Sequence, residues 1–274
     1  MRVIFDIFLR IDKLIFRNFL KKSYHFSRKI YRIFKNLILL SRFESKFDFK
    51  LITYYEKNYD CDLAKYCDIY GSDKGELKKD GHPYPWSSHT YTDVYSRLFS
   101  SRRNEINKIF ECGIGTNNPN LISSMGALGK PGASLRVWRD YFPNALVIGA
   151  DIDTDILFEE NRIKTFHIDQ TNPNSIKTFW SLLNLSGFDI IIDDGLHTFE
   201  AGKILFENSI DYLDSNGFYI IEDVTLENSL KFKEYFKDKG YLVDYTHLYR
   251  PLIKLGDNCL IIIRKSNKFN SFKH

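Results

Sequence analysis

The sequence predicts a doubly wound α/β fold, a mostly parallel sheet of about seven strands with an antiparallel edge strand and an N-terminal helical extension. Three observations predict it. From Asn107 onward, short apolar runs alternate with helix-like segments, as βαβ units require. Two of those runs end in paired acids, and in open α/β sheets ligands sit beyond the carboxyl ends of the strands. The last two runs lie close enough in sequence to pair antiparallel at the sheet edge.

The elements follow in order. Residues 1–50 read as a basic amphipathic helical arm. Ile4, Phe8, Ile11, Ile15 and Phe19 recur every three to four residues, with Arg10, Lys13, Arg17 and Lys21 on the opposite side. A second helix, from about Ser27 to Leu40, carries Ile30, Ile33, Phe34, Leu37 and Ile38 on one side. The arm is expected to pack on the body or on a second copy of the chain, in a homo-oligomer. Its charge and aromatic pattern also suits peripheral contact of residues 1–40 with an anionic membrane. Residues 51–104, rich in Tyr, Gly and His and containing the Pro83–Trp86 loop, read as a cap or lid. Strands are expected at Lys108–Glu111, Leu146–Asp151, Thr165–Ile168, Asp189–Ile192, Phe218–Ile221, Tyr241–Tyr245 and Leu260–Ile263. Helices are expected at Leu135–Tyr141, Ser175–Leu185, Phe199–Leu213 and Leu226–Asp238. The sheet domain thus covers 105–266, and 267–274 reads as a flexible tail.

Composition bounds the function. The net charge of +4 hides an asymmetry, with 13 Lys/Arg against 4 Asp/Glu in residues 1–50 and 26 against 31 in the rest. An acidic body argues against a nucleic-acid partner. No apolar run approaches the roughly 18 residues of a membrane span, and basic residues interrupt the N-terminus where a signal peptide would need an apolar stretch. Cys61, Cys67, Cys112 and Cys259 show no CxxC spacing and read as reduced thiols, so the expected location is cytoplasmic, with the inner membrane surface as the alternative.

The stretch Ile190–Glu200, Ile-Ile-Ile-Asp-Asp-Gly-Leu-His-Thr-Phe-Glu, carries the most chemistry. A second run, Phe218–Ile221, ends in Glu222-Asp223. As neighbouring parallel strands these bring up to four carboxylates and one imidazole to one crevice. Such a set suits a hard cation, which prefers oxygen ligands, and a proton acceptor. His197, with an ordinary pKa of about 6.5, is the candidate general base. Asp193 and Asp194 compete for the cation, because adjacent residues at a strand end point to opposite sides. Taken singly, each residue has a plainer use. Either aspartate can cap the next helix, Glu222-Asp223 can be a solvated strand end, and His197 can be structural. Asp189 begins its strand at the far edge and reads as structural.

Phe110-Glu111-Cys112-Gly113-Ile114-Gly115-Thr116-Asn117 ends the first strand in a glycine turn that allows close approach of a ligand. A dinucleotide fingerprint fails, because Asn118 stands at the third glycine. The next strand ends in Asp151, placed to hold two ribose hydroxyls, and the third in Asp169-Gln170, suited to an adenine edge. Asp153 is a weaker ribose candidate and reads as capping. Three successive strand ends therefore outline a nucleoside site.

These words together resemble the class I S-adenosylmethionine-dependent methyltransferases, and among them the metal-dependent sugar O-methyltransferases of the macrocin, mycinamicin and tetracenomycin-rhamnose type. The matching words are Tyr70-Gly-Ser-Asp-Lys74, His89-Thr-Tyr91, Glu111-Cys-Gly-Ile-Gly115, Gly132–Phe142, Gly149-Ala-Asp151, Asp169-Gln170, Asp193-Asp-Gly-Leu-His197 and Ile221-Glu-Asp223, in the family's order over roughly residues 66–225. The resemblance implies a Rossmann-like methyltransferase domain. It implies that Glu111, Gly113 and Gly115 bound the methionine end of S-adenosylmethionine, that Asp151 holds the ribose and that Asp169 and Gln170 lie by the adenine. It implies Asp194, Glu222 and Asp223 as Mg²⁺ ligands and His197 as the base, and it aligns Asp194 rather than Asp193 with the metal. The departures are Asn117-Asn118 in the glycine turn and Leu196 where relatives often carry Ser. In the cap, Lys74 is expected to pair with a cofactor carboxylate or a substrate phosphate, or to be a solvated loop lysine. His89 is a second-choice base. Trp86, Trp138 and Tyr91 can stack on a sugar ring or serve the core.

The expected function is methyl transfer to a sugar hydroxyl, on a nucleotide sugar or a glycan or natural-product sugar. Two rivals stand beside it: a nicotinamide-dependent sugar oxidoreductase or epimerase, and a catalytically inert nucleoside-binding scaffold.

Overall fold

The computed structural model describes residues 38, 40–77, 86–249 and 256–266. The arm helices expected at 4–19 and 27–40 lie outside the described residues apart from 38 and 40, as do most of the Pro83–Trp86 loop and all of 267–274. The chain divides into two units, Met1–Leu51 and Ile52–His274. In the first, the chain is helical at 40–44, and the Phe43 and Phe47 rings lie 4.9 Å apart.

The second unit carries helices α1 (Asp62–Tyr70) and α2 (Tyr91–Phe99), then strand β1 (Lys108–Cys112), α3 (Ala133–Tyr141), β2 (Leu146–Asp151), the two-residue β3 (Glu159–Glu160) and β4 (Ile163–His167). It continues with α4 (Pro173–Leu183), β5 (Phe188–Asp193), α5 (Phe199–Ser209), β6 (Leu213–Ile221), α6 (Leu226–Phe236), β7 (Tyr241–His247) and β8 (Cys259–Lys265). The strands form one sheet in the order β3-β4-β2-β1-β5-β6-β8-β7. The pairs β4-β2, β2-β1, β1-β5 and β5-β6 are parallel. This is the doubly wound, Rossmann-like fold, with eight strands among the described residues where about seven were expected. The extra strand is β3, antiparallel to β4 at one edge. At the other side the expected antiparallel pairing of the last two strands is present, but β8 lies between β6 and β7 and runs against both. The alternate apolar residues of β8 are thereby buried on both faces, and β7 becomes the edge.

Strand pleating sorts the core into two layers. On one face Ile109, Val147, Ile190, Ile192 and Ile220 meet Leu63, Cys67, Tyr95, Phe99, Leu135 and Trp138 from α1, α2 and α3. On the other, Phe110, Ile148, Ile191 and Tyr219 meet Ile176, Phe179, Leu205, Phe206 and Phe232 from α4, α5 and α6. Each fully buried side chain of this kind stabilises the fold by about 1.5–3 kcal/mol relative to an exposed one. The 51–104 segment therefore contributes helices to the same core that supports the strands.

Helix starts are written locally. Asn172 accepts the Asn174 amide at 2.9 Å ahead of Pro173, which opens α4. Thr198 and Thr225 accept the Ala201 and Asn228 amides at 3.2 and 3.1 Å and so begin α5 and α6. Both caps follow an acid word within a few residues, so the acids stay on the turns at the strand ends. Most boundaries lie within about two residues of expectation, and one shifts further. The helix expected to run to Leu213 ends at Ser209, a 3₁₀ turn covers Ile210–Tyr212, and β6 starts at Leu213 rather than Phe218. Gly217 allows this early start, because a Cβ there would lie 2.8 Å from the Phe188 carbonyl oxygen across the pair.

Candidate active site

β5 and β6 are parallel neighbours, and the Glu222 amide donates to the Asp193 carbonyl at 2.9 Å. The two acid words therefore sit side by side at one sheet edge. Asp193 and Asp194 point apart. Asp193 is buried and accepts the Gln170 side-chain amide at 2.6 Å and the Gly195 amide at 3.4 Å. Burial pushes its carboxyl up to about 6, against the pull of His197 and these donors. Asp194 turns the other way, with Oδ1 3.3 Å from His197 Nε2 and Oδ2 accepting from Lys74 Nζ at 2.6 Å. Burial resists its charge, but the Lys74 ammonium and His197 override that and hold Asp194 down at about 2.

His197 Nδ1 lies 3.8 Å from Asp223 Oδ2, so its two ring nitrogens face two different acids. Burial lowers the imidazole's pKa, but Asp194 and Asp223 more than reverse this and raise it to about 10. With 32% of its side chain exposed, His197 is the group of this cluster most open to an acceptor. His197 and Asp223 both adopt left-handed backbone conformations, φ +56° and +53°. Non-glycine residues seldom do so, and such conformations cluster at functional sites. One ligand atom from each of Asp194, His197 and Asp223 lies within 4.8 Å of the others. The two carboxylates at that spacing fit a hard divalent cation with open positions left for other oxygens, and the imidazole beside them fits a proton acceptor.

Glu222 is placed differently. It is 1% exposed and turned inward, with Oε1 accepting from the Tyr95 hydroxyl and Oε2 from Lys74 Nζ. Lys74 is itself 3% exposed, and its ammonium also lies 3.1 Å from Glu111 Oε1. Burial works against this charge, but Asp194, Glu222 and Glu111 together raise the lysine's pKa well above the usual range. Lys74 is thus neither solvated nor directed outward. Three of the protein's own carboxylates, from the ends of β1, β5 and β6, surround it.

The cap supplies the remaining supports. Tyr91 donates to Asp223 Oδ1 at 2.7 Å and accepts the Asp223 amide at 3.1 Å. His89 stacks on Tyr91 with ring centroids 4.6 Å apart and places Nε2 3.5 Å from Asp223 Oδ1. Its Nδ1 is 3.1 Å from Asn258 Oδ1, and the Asn258 amide donates to the Leu248 carbonyl at 2.9 Å. That donation turns the asparagine's oxygen toward the ring, so His89 Nδ1 faces Asn258 and Nε2 faces Asp223. Trp138 is buried, donating Nε1 to Glu111 Oε2 at 2.6 Å and packing edge-on against Tyr95. It serves the core. Trp86 donates to Asp73 at 2.9 Å. Sequence reasoning did not find Tyr95, Asn258 or the bond from Trp138 to Glu111. The Tyr91/Tyr95 spacing of four, which stacks both hydroxyls on one helix face, was the available signal for the first.

The residues expected on the cofactor side occupy the ends of β1, β2 and β4. Gly113 has φ +90°, and a Cβ there would lie 2.1 Å from the Asp194 carbonyl oxygen. Glycine at this position lets β1 and the β5 turn approach each other. Gly115, φ +85°, is closed by Met125, whose sulfur would be 2.4 Å from a Cβ. Asp151 accepts the Ile114 amide at 2.8 Å and the Asp153 amide at 3.0 Å, one per oxygen, and each oxygen has capacity for a further bond. That capacity fits ribose hydroxyls. Asp153 caps the following turn through the Asp155 amide and also receives the Thr116 hydroxyl. Asp169 remains partly exposed, with Oδ1 taken by the Thr171 amide and hydroxyl at 2.9 and 2.7 Å. Gln170 is buried, and besides donating to Asp193 it accepts the Leu196 amide at 2.9 Å. It holds the 193–196 turn. Asp189 accepts the Asn107 and Lys108 amides at 2.7 and 2.9 Å, at the far end of β5.

No family model matches the chain. It is 33% identical over 140 residues to the 8-demethyl-8-alpha-L-rhamnosyl tetracenomycin-C 2'-O-methyltransferase of Streptomyces olivaceus, covering 51% of this chain and 34% of that protein. It is 34% identical over 141 residues to demethylmacrocin O-methyltransferase of Streptomyces fradiae, covering 51% and 33%. The chain spans about a third of the length of these curated relatives. Among solved structures it is similar to the MycE methyltransferase of the mycinamycin biosynthetic pathway in complex with Mg, SAH and mycinamycin VI, at TM-score 0.55 and 23% identity, over 75% of this chain and 54% of that one. The chain therefore has the methyltransferase fold, and the curated proteins it resembles in sequence are sugar O-methyltransferases.

Proposed function

We propose that this chain is an S-adenosylmethionine-dependent O-methyltransferase that acts on a sugar hydroxyl with the help of a divalent cation. One observation carries the reading: Asp194, His197 and Asp223 converge within 4.8 Å at the ends of two adjacent strands, beside a strand end that offers a glycine turn and a ribose-suited acid. The curated relatives support it by their activity, since those named above methylate sugar hydroxyls. They do not favour the nicotinamide rival or the inert scaffold.

S-adenosylmethionine supplies a methyl group on a sulfonium, so the protein's task is to orient the acceptor oxygen and take its proton. Asp194 and Asp223 would hold a hard cation, which would supply positive charge that polarises a hydroxyl and offsets the acids that raise the His197 pKa. His197, the exposed member of the cluster, then accepts the hydroxyl proton at a ring nitrogen. Tyr91 and His89 hold Asp223 from the cap side. Gln170 and Asp193 keep the turn between the first acid word and His197 in place. The acceptor class is a nucleotide-linked or natural-product sugar, whose vicinal hydroxyls suit open cation positions.

The test is transfer of labelled methyl from S-adenosylmethionine to a panel of nucleotide sugars and glycosides, with Mg²⁺ and with EDTA. Mg²⁺-dependent labelling is expected. Full turnover in EDTA removes the cation from the reading and leaves the transferase. Failure to bind S-adenosylhomocysteine by calorimetry removes the transferase.

A further inference from the structure

We propose that Lys74 is a tethered cation that competes with a divalent ion for Asp194 and Glu222, with Glu111 as the acceptor onto which its ammonium withdraws. The proposal rests on the cation reading above and goes beyond it. Its argument is the disposition of oxygens around one ammonium. Lys74 Nζ is hydrogen-bonded to Asp194 Oδ2 and Glu222 Oε2, oxygens of two of the acids assigned to the cation by resemblance. Tyr95 donates to the other Glu222 oxygen, so each carries a donor. A divalent ion drawn to Asp194 or Glu222 meets the ammonium's positive charge at close range.

A place for the ammonium to go is already built. Glu111 is fully buried and its Oε2 is fixed by Trp138, yet Oε1 has no hydrogen bond, although Nζ lies 3.1 Å away. At 3.1 Å the two already form an ion pair, and a small rotation of the ammonium aligns a hydrogen bond to this oxygen. The lysine's backbone is pinned. The Thr92 amide donates to the Lys74 carbonyl at 3.1 Å, and a Cβ at the adjacent Gly75 would collide with the Thr92 side chain at 2.0 Å. What can move is the end of a flexible four-carbon stem carrying a compact charge. In the ion-free protein Lys74 ties the cap to the ends of β5 and β6. Once displaced, it ties the cap to β1 alone.

The test is titration of Mn²⁺ into the full chain, free of cofactor, read by calorimetry or by the paramagnetic resonance of free Mn²⁺. Removing a fixed positive charge within a few ångströms of the ion is expected to tighten Mn²⁺ binding by about tenfold or more in K74M. K74M leaves the buried Glu111 uncompensated, so K74M/E111Q is measured beside it. The double variant keeps the net charge of the site and removes only the occupant, and tighter binding is expected there too. Wild-type binding of Mn²⁺ as tight as, or tighter than, that of the double variant would overturn the competition and leave the cation reading intact. Absence of Mn²⁺ binding in all three proteins overturns both.

Discussion

The two halves of the crevice are built in different ways. At the ends of β1, β2 and β4, the side of the expected cofactor, polar groups draw on close neighbours in sequence and on the adjacent strand end: Asp151 on Asp153 and Ile114, Asp153 on Asp155 and Thr116, Asp169 on Thr171. On the acid side, at the ends of β5 and β6, the partners come from far away. Lys74 reaches Asp194 across 120 residues, Tyr95 reaches Glu222 across 127, and Tyr91 reaches Asp223 across 132. A nucleoside pocket can be made from strand-end turns alone. Four carboxylates beside one another cannot, because like charges in a poorly solvated site raise one another's pKa values and resist assembly. The cap supplies the compensating donors, which makes it part of the chemistry rather than a cover.

Paired substitutions break or sharpen that contrast. The largest effect is expected from His197→Ala, with turnover falling by about 10²–10⁴-fold, the usual contribution of a general base. Binding of S-adenosylhomocysteine to this variant should stay near wild type, whereas Asp151→Ala should weaken that binding. Equal loss of binding in both variants would show that the halves do not act separately. Next comes Gly113→Ala, which strikes the seam between the halves. The added methyl meets the Asp194 carbonyl in a backbone region that alanine resists, so we expect destabilisation by about 2 kcal/mol or more. Thermal unfolding measures it, and an unchanged Tm would mean that the two strand ends are not in contact. The smallest effect concerns a half-buried ion pair that contrasts with the buried Lys74 cluster. Arg136 donates to Glu160 at 2.6 Å, and Arg139 lies 3.0 Å from its other oxygen. The Arg136 hydrogen bond lowers the Glu160 pKa. A lowered carboxylate pKa contributes stability that is present above its unfolded value and lost as pH falls through the folded one. Glu160→Gln should therefore lower Tm at pH 7 by no more than about 2–4 °C, as for screened surface pairs. That difference should shrink below pH 4.5, the ordinary glutamate value. A gap that persists in acid would mean the glutamate acts through packing rather than charge.

The cofactor side was the more legible half because its signals are short words. A glycine turn after an apolar run, and an acid ending the next run, are local patterns with local causes. Even there Gln170 shows the limit. Its position was readable, but its engagement with Asp193 and Leu196 depends on β5 lying within reach. On the acid side the words at 193–197 and 222–223 were readable, and so was their adjacency, given parallel neighbouring strands. The orientation of Glu222 was not, because Tyr95 and Lys74 decide it.

Periodicity, strand-end acids and a matching order of words determined the doubly wound fold and the identity of the acids at the crevice. These follow from propensities and alternation, which act over a few residues. Tertiary structure alone decided which way each acid points, that β8 inserts between β6 and β7, and that Lys74 lies among three carboxylates. The physical reason is burial. Inside the crevice each charge needs a partner, and the partner is chosen by what the fold brings within about 3 Å rather than by what lies nearby in sequence.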